Sequence, residues 1–195
     1  MKGIILVISG PAGVGKTTLC DRLLKKYTSQ LCRTITVTTR NPRANEVNGI
    51  DYIFMSKQEF QNSKNNDLFL EYAQIHGNWY GSLKNSVLDK LESSYDVLMN
   101  IDIQGMLSLK KMENKFSCLT NKIHTVFINP QSIGDLRDRL NHRGLDSSQN
   151  IEERLKTAKI EIESNHAFDK IILSKTKDED FHRLEKFYLS KSLVA

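Results

Sequence analysis

The first residues that could do chemistry are the glycine-rich segment Gly10-Pro-Ala-Gly-Val-Gly-Lys-Thr17. This spacing is typical of a phosphate-binding loop, in which successive backbone N–H groups converge on phosphate oxygens. Lys16 of such a loop reaches toward the outer phosphates of a nucleoside triphosphate, and the hydroxyl of Thr17 can ligate Mg²⁺. The residues predicted to bind the triphosphate are Gly10, Pro11, Ala12, Gly13, Val14, Gly15, Lys16, Thr17 and Thr18.

The segments on both sides of this loop are the elements that such a loop needs. The apolar run Gly3–Ser9 predicts a strand that leads into it. After Lys16, one helical face carries Leu19, Leu23 and Tyr27, so a helix is predicted to begin at the bound anion. An eight-residue pattern alone can also be an ordinary turn. The flanking strand and helix favour the phosphate-binding loop.

A second anion site is indicated by Arg40 and Arg43, which stand three residues apart around Pro42. Proline stiffens the loop, and two guanidinium groups can grip one phosphate through paired hydrogen bonds. The spacing alone is equally compatible with two solvated loop arginines. If the pair does bind phosphate, it would hold a second phosphorylated substrate independently of the first loop.

The elements that would position these residues indicate an α/β fold. The apolar segments Val97–Ile101, Ile123–Ile128 and Lys170–Leu173 are predicted to be parallel strands, separated by helices. In such sheets a ligand binds outside the carboxyl ends of the strands, where the phosphate-binding loop also lies. Two regions break the alternation. An aromatic-rich stretch from Arg33 to Ser82 predicts an inserted substrate lobe, and an arginine-rich stretch from Leu136 to Leu155 predicts a mobile lid.

Composition restricts the class of protein. The chain has 195 residues, 39% hydrophobic and 26% charged, which suits one domain or one core with small inserted subdomains. No stretch approaches the roughly 20 apolar residues of a membrane helix, and the first apolar run is interrupted by the phosphate-binding loop, unlike a signal peptide. We therefore expect no membrane association and a cytoplasmic location.

The net charge and the spacing of cysteines and histidines restrict the kinds of ligand that the protein is expected to bind. The net charge of +5 favours anionic partners without separating nucleotides from nucleic acid. Three cysteines and five histidines show no disulfide or metal-ligand spacing. A reducing compartment fits the cysteines, which are interpreted as small buried apolar groups rather than nucleophiles.

Six further motifs occur in a fixed order and together resemble the guanylate kinase family over nearly the whole chain. They are Thr38-Thr-Arg-Asn-Pro-Arg-Ala-Asn-Glu46, Asn48-Gly-Ile-Asp-Tyr52, Leu70-Glu-Tyr-Ala73, Gly77-Asn-Trp-Tyr-Gly-Ser82, Ile101-Asp-Ile-Gln-Gly105 and Arg139-Leu-Asn-His-Arg-Gly144. The resemblance implies a P-loop NTPase-type parallel sheet core wrapped by helices, an inserted mixed β/α lobe that binds GMP, and a helical lid. The implied division is core 1–32, GMP-binding lobe 33–85, core 86–134, lid 135–158 and core 159–195.

The resemblance also implies an activity and a set of site residues. The activity is Mg²⁺-dependent transfer of the γ-phosphoryl group of ATP to GMP, and to dGMP as well, giving ADP and GDP from ATP and GMP. The matching positions for the guanine are Thr36, Glu71, Ser82 and Asp102, and those for the GMP phosphate are Arg40, Arg43, Tyr52 and Tyr80. The matching catalytic positions are Lys16, Arg40, Arg43 and the lid arginines Arg139, Arg143 and Arg154.

The chemistry of these side chains agrees with the resemblance. A carboxylate such as that of Glu71 can accept hydrogen bonds from the ring N–H and the exocyclic amino group of guanine, whereas adenine has no matching donor pair on that edge. The attacking atom is an already anionic phosphate oxygen, so no protein general base is needed. Catalysis then consists of alignment and charge neutralisation.

Two departures from the family pattern concern the metal and the adenine. Asn100 stands where guanylate kinases often have an acidic residue that faces Mg²⁺, so Thr17 is predicted to be the only direct protein ligand of the metal. Leu173-Ser-Lys-Thr176 stands where the family tends to have Asn and Asp near the adenine.

Three other functions stay open at this stage. A non-catalytic guanylate-kinase-like module would bind phosphorylated or acidic peptides, which Asn100 favours, but it would give Lys16 and the lid arginines no role. Nucleic-acid binding is not expected, because two phosphate sites account for the basic residues and no base-stacking motif is visible. An enzyme that acts on another small phosphorylated acceptor is the third alternative, and the sequence leaves the oligomeric state undetermined.

Overall fold

The computed structural model describes residues 3–113, 115–143 and 148–192, with the side chain of Arg143 outside the description. These residues form two β-sheets and seven α-helices. The strands are β1 (Ile5–Ser9), β2 (Leu31–Arg33), β3 (Val37–Thr38), β4 (Ile53–Phe54), β5 (Phe69–Ile75), β6 (Asn78–Leu83), β7 (Asp96–Asn100), β8 (Ile123–Asn129) and β9 (Lys170–Leu173). The helices are α1 (Lys16–Lys26), α2 (Lys57–Asn65), α3 (Lys84–Glu92), α4 (Ile103–Glu113), α5 (Ile133–Arg143), α6 (Ser148–Glu163) and α7 (Lys177–Ser192).

The central sheet has five parallel strands in the order β2-β7-β1-β8-β9. All five residues of β1 are buried, because helices cover both faces of the sheet. On one face Leu6 and Ile8 pack with side chains of α1, α5, α6 and α7, and on the other Val7 packs with those of α3 and α4. Strands buried on both faces are rich in consecutive apolar residues, which is why β1, β7 and β8 were predictable.

The inserted lobe is built on a second, mixed sheet of order β4-β3-β6-β5. Its strands β3 and β4 are parallel, whereas β6 is antiparallel to both β3 and β5. The lobe has a small aromatic core, in which Phe60 of α2 stacks on Phe69 and on Trp79 with ring centroids 4.4 and 5.7 Å apart. Leu70 of β5 packs into the cluster that α4 forms on the central sheet, so the lobe is anchored to the core. The predicted fold class is confirmed.

The arginine-rich region forms α5 and α6. Leu136 and Leu140 of α5 are buried, and a Cβ atom at Gly13 would lie 3.1 Å from Leu140 Cδ2, so α5 packs directly against the phosphate-binding loop. An ion pair between Arg137 and Glu152 joins the two helices. No helix within the described ranges is long and apolar enough to cross a membrane.

Candidate active site

The phosphate-binding loop has a backbone that only glycines adopt readily. Gly10, Gly13 and Gly15 have φ angles of 141°, 89° and 107°. A Cβ atom at Gly10 would lie 2.4 Å from the carbonyl oxygen of Ile128, so any side chain there would displace the loop. The ammonium of Lys16 donates to the carbonyl oxygens of Gly10 and Pro11, at 2.5 and 3.0 Å, and is thereby held across the loop.

A cavity of about 280 Å³ lies between this loop and the mixed sheet. It brings together most of the residues predicted from the sequence, although they come from four separate parts of the chain. Its predicted residues are Gly10, Ala12, Gly13, Gly15, Lys16, Thr17, Thr36, Arg43, Tyr52, Glu71, Tyr80, Asp102 and Arg154. Asn100 lines the same cavity. The parallel strands β1 and β7 end here, where ligands of α/β sheets bind.

One buried and one half-buried carboxyl group, those of Glu71 and Asp102, line this cavity. Glu71 is 2% exposed and accepts a hydrogen bond of 2.7 Å from the hydroxyl of Ser82. Burial raises the pKa of Glu71 to about 7, with a further contribution from the charge of Asp102 that the Ser82 hydrogen bond opposes. Burial also raises the pKa of Asp102, which accepts a hydrogen bond of 2.8 Å from the backbone N–H of Gly105. The pair is suited to a ligand edge that presents N–H donors.

The two arginines of the lobe are organised by Glu46. Arg40 donates to both carboxylate oxygens of Glu46, at 2.8 and 2.9 Å, and the backbone N–H of Arg43 donates to the same group at 2.8 Å. Burial alone would raise the pKa of Glu46, but the hydrogen bonds and charges of the two arginines lower it. Arg40 also lies over the ring of Tyr52, with its Cζ atom 5.3 Å from the centroid. The arginines are therefore not merely solvated.

The three predicted lid arginines do not lie at one cavity in the described structure. Arg154 lines the first cavity, whereas Arg139 donates to the carbonyl oxygen of Val14 at 3.1 Å and lines a second cavity of about 670 Å³. The second cavity shares Gly13 and Gly15 with the first and is also lined by Thr18. The side chain of Arg143 lies outside the described residues. Both cavities thus border the phosphate-binding loop.

Comparison with known proteins gives the family. A family model described as guanylate kinase matches residues 2–191 of this chain. The chain belongs to the guanylate kinase family. Among relatives named guanylate kinase, that of Wolbachia sp. subsp. Brugia malayi (strain TRS) is 38% identical over 197 residues, which cover 99% of this chain and 97% of the relative. That of Bartonella quintana (strain Toulouse) is 37% identical over 191 residues, with coverage of 98% and 83%.

A solved structure gives the same result for the fold. The crystal structure of guanylate kinase from Anaplasma phagocytophilum matches this guanylate kinase family member with a TM-score of 0.75 and 27% sequence identity. The match covers 97% of this chain and 86% of that one. The resemblance inferred from the six motifs is therefore confirmed at the level of the family and of the fold.

Several cavity residues of this guanylate kinase family member were missed by the sequence reasoning. Thr157 and Glu161 follow Arg154 by three and seven residues, so one face of α6 carries all three into the first cavity. This helical spacing from Arg154 is visible in the sequence and could have predicted both residues. Glu46 ends the motif Thr38–Glu46 and was not predicted to have a role, although it accepts hydrogen bonds from both Arg40 and Arg43.

Gly105 lies against the carboxyl groups of both Glu71 and Asp102 in this guanylate kinase family member. A Cβ atom there would lie 2.7 Å from Glu71 Oε2 and 3.1 Å from Asp102 Oδ1. Gly105→Ala is expected to raise KM for GMP about tenfold, with a smaller change in kcat, because the methyl group would displace the two carboxylates that the resemblance assigns to the guanine. Steady-state kinetics measure both. Gly134→Ala on α5 is the matched control, since its Cβ atom would meet only Ser132 Oγ, at 3.5 Å. An unchanged KM in Gly105→Ala would contradict the prediction.

Proposed function

We propose that this protein transfers the γ-phosphoryl group of ATP to GMP, and to dGMP, and so produces ADP with GDP or dGDP. One observation carries the proposal most directly: a single cavity joins the phosphate-binding loop to the buried carboxyl group of Glu71 and the half-buried one of Asp102. A pure phosphate-binding surface would not need these two acceptors beside it. Membership of the guanylate kinase family supports the same conclusion.

In this proposal the guanine lies against the mixed sheet. The Glu71 carboxylate accepts from the ring N–H and the exocyclic amino group of the base, and the hydroxyl of Ser82 fixes its orientation. Asp102 and Thr36 complete the pocket. Adenine would leave Glu71 without its donors while still buried, and sites of this kind reject such analogues by as much as about 10⁴-fold.

The phosphate of GMP is held by the arginine pair in this proposal. Arg43, Tyr52 and Tyr80 line the cavity, and Arg40 is held against Tyr52 by its bonds to Glu46. Because Glu46 fixes the loop before the phosphate arrives, little side-chain entropy is lost on binding. The pair therefore aligns the attacking oxygen with the donor.

Phosphoryl transfer itself then depends on positioning and charge. The backbone amides of the phosphate-binding loop and the ammonium of Lys16 bind the donor phosphates, and Arg154 neutralises charge on the group in transit. Arg139 and Arg143 are proposed to act from α5, which packs on the loop. The second cavity, which contains Ser174 and Arg139, is proposed to take the adenosine part of ATP.

The residues of the first cavity fit Mg²⁺, which prefers oxygen ligands and keeps several waters. The hydroxyl of Thr17 is the proposed direct protein ligand, and the amide of Asn100 and the carboxylate of Asp102 can hold metal-bound waters. Among the described residues there is no cluster of three or more His, Cys, Asp and Glu side chains arranged for a metal. Bound Mg²⁺ would neutralise phosphate charge, with its remaining ligands coming from the substrate phosphates and water.

We further propose the domain boundaries that the resemblance implies, and a cytoplasmic location. The five parallel strands support a core interrupted by the lobe and by the α5–α6 region. Closure of α5 and α6 over the nucleotides is proposed to exclude water, which would otherwise compete as phosphoryl acceptor.

The test of the activity is ADP production from ATP and Mg²⁺, compared for GMP, AMP, CMP and UMP as acceptors. The proposal expects turnover that is selective for GMP. Turnover with another acceptor, and not with GMP, would show that the other nucleotide is the substrate. Protein that binds GMP without turning over would favour the non-catalytic module that binds phosphorylated or acidic peptides.

The raised pKa of Glu71 predicts that GMP binding depends on pH. With a pKa of about 7 in the free protein, Glu71 must lose its proton before it can accept from guanine. Affinity for GMP is therefore expected to fall by up to about tenfold per pH unit below pH 7, and to level off above it. Calorimetry at pH 7 in buffers of different ionisation enthalpy is expected to show release of about half a proton per GMP.

The control for this pH dependence is Glu71→Gln, which has no carboxyl group at this position. The second ionisation of the GMP phosphate, near pH 6, contributes equally to both proteins. The difference in proton release between them is thus the contribution of Glu71. No difference would contradict the assignment of the titrating group.

A further inference from the structure

The carboxylate of Glu161 lies in the first cavity and has no part in the mechanism proposed above. One face of α6 brings Arg154, Thr157 and Glu161 to the cavity wall. Burial raises the pKa of Glu161, the charge of Lys16 lowers it, and the charge of Asp102 raises it. Within the described ranges Glu161 forms no ion pair, unlike Glu152 on the same helix. Its charge therefore acts on the cavity rather than on a neighbouring side chain of α6.

The charges that line the cavity show where Glu161 acts. The cations are those of Lys16, Arg43 and Arg154, and the carboxylates are those of Glu71, Asp102 and Glu161. Glu71 is paired with Ser82 beside the proposed guanine position. Glu161 instead shares α6 with Arg154 and is influenced by Lys16 of the phosphate-binding loop. It is thus a carboxylate in the wall of the same cavity as Lys16 and Arg154, the two cations proposed to act on the donor phosphates.

A carboxylate in this place has opposite effects on two forms of the donor. It repels the polyphosphate of metal-free ATP, and the repulsion is strong because the site is partly shielded from water. It attracts ATP that carries Mg²⁺, since the carboxylate can accept hydrogen bonds from metal-bound water. The net charge of the cavity wall then selects between the two forms.

We infer that Glu161 is a specificity-determining residue that makes the cavity select triphosphate carrying Mg²⁺ over metal-free triphosphate. The inference rests on the proposed function, because it assumes that ATP binds at the phosphate-binding loop. It differs from a direct-ligand role, which stays with Thr17. It also differs from a purely structural role, which would not depend on the metal.

The test is calorimetric binding of the non-hydrolysable analogue AMPPNP, once with Mg²⁺ and once with EDTA. Glu161→Gln keeps the size of the side chain and removes its charge. We expect this variant to bind metal-free AMPPNP about three- to tenfold more tightly and Mg²⁺-AMPPNP about tenfold more weakly than the wild type. The reversal of sign between the two conditions is the expected signature.

Glu153→Gln is the matched control, because it removes the same charge from an exposed position of the same helix. It is expected to leave both affinities within about twofold of the wild type, since exposed charges are screened by salt. Thermal unfolding of both variants checks that each is folded.

The outcomes separate this inference from the proposed function. If the wild type phosphorylates GMP but Glu161→Gln changes both affinities in the same direction, or neither, the inference is wrong and the function stands. If the wild type neither binds AMPPNP nor phosphorylates GMP, the proposed function fails and the inference fails with it.

Discussion

Replacing Lys16 with alanine is expected to lower kcat for transfer from ATP to GMP by about 10³-fold while the protein stays folded. The ammonium of Lys16 is held across the phosphate-binding loop by the carbonyl oxygens of Gly10 and Pro11, and the proposed donor phosphates bind at that loop. In the proposed mechanism its charge stabilises the transferring group more than the ground state, so the loss is expected to appear in kcat. Single-turnover kinetics with saturating ATP and GMP measure this directly.

Two controls belong to this prediction. Lys25→Ala removes a lysine from the exposed end of the same helix, and it is expected to leave kcat within about twofold. Affinity of Lys16→Ala for GMP alone is expected to stay close to that of the wild type, because the proposed GMP contacts come from the lobe and from Asp102, not from the phosphate-binding loop. A fully active Lys16→Ala variant would remove this residue from the mechanism.

Glu71→Gln is expected to lower kcat/KM for GMP by about 10² to 10³-fold. The glutamine can still accept from Ser82, but its amide offers a donor where guanine also presents donors, and it lacks the charge that strengthens the two bonds. Selectivity for GMP over AMP is expected to collapse with it. Acceptor kinetics with both nucleotides measure the change. A variant that keeps its preference for GMP would contradict the assigned guanine site.

The same substitution is expected to stabilise the free protein at high pH. The folded-state pKa of Glu71, about 7, lies above its usual value of 4.5, so the folded protein binds more protons than the unfolded chain between these values. Stability conferred by this group is therefore highest below pH 4.5 and falls as the pH rises to 7. Over this range the contribution of Glu71 to the free energy of unfolding falls by roughly 3 kcal/mol, at about 1.4 kcal/mol per pH unit.

Chemical denaturation at pH 5 and pH 8 tests this expectation. Glutamine does not titrate, so the stability of Glu71→Gln relative to the wild type is expected to increase between the two values. Glu92→Gln, at the exposed end of α3, is the control and is expected to show no such increase. Opposite effects of Glu71→Gln on stability and on selectivity would mark Glu71 as a residue whose burial serves binding at the expense of stability.

Local patterns made the phosphate-binding loop and most of the central sheet predictable. The glycines of the loop are required by its own backbone angles, and β1, β7, β8 and β9 each contain at least three consecutive apolar residues. The strand β2, with only the three residues Leu31–Arg33, has no such run, so its pattern did not predict a core strand there. Its place at the edge of the central sheet is decided by pairing with β7, which is a tertiary contact.

The site was predictable in its residue types but not in its geometry. Glu71 could be chosen as the guanine acceptor, yet its burial beside Asp102, which raises its pKa, depends on how β5 packs on α4. Arginines could be assigned to a predicted lid, but whether Arg139 faces the first or the second cavity depends on the packing of Leu140 against the loop. The role of Glu46 follows only from hydrogen bonds within the folded loop.

The most direct test of the central claim is a crystal structure of the protein with bound GMP. The account predicts that the ring N–H and the exocyclic amino group of guanine both donate to Glu71, and that the phosphate contacts Arg40 and Arg43. A structure in which the base lies away from Glu71, or in which the GMP phosphate occupies the Gly10–Thr17 loop, would contradict it.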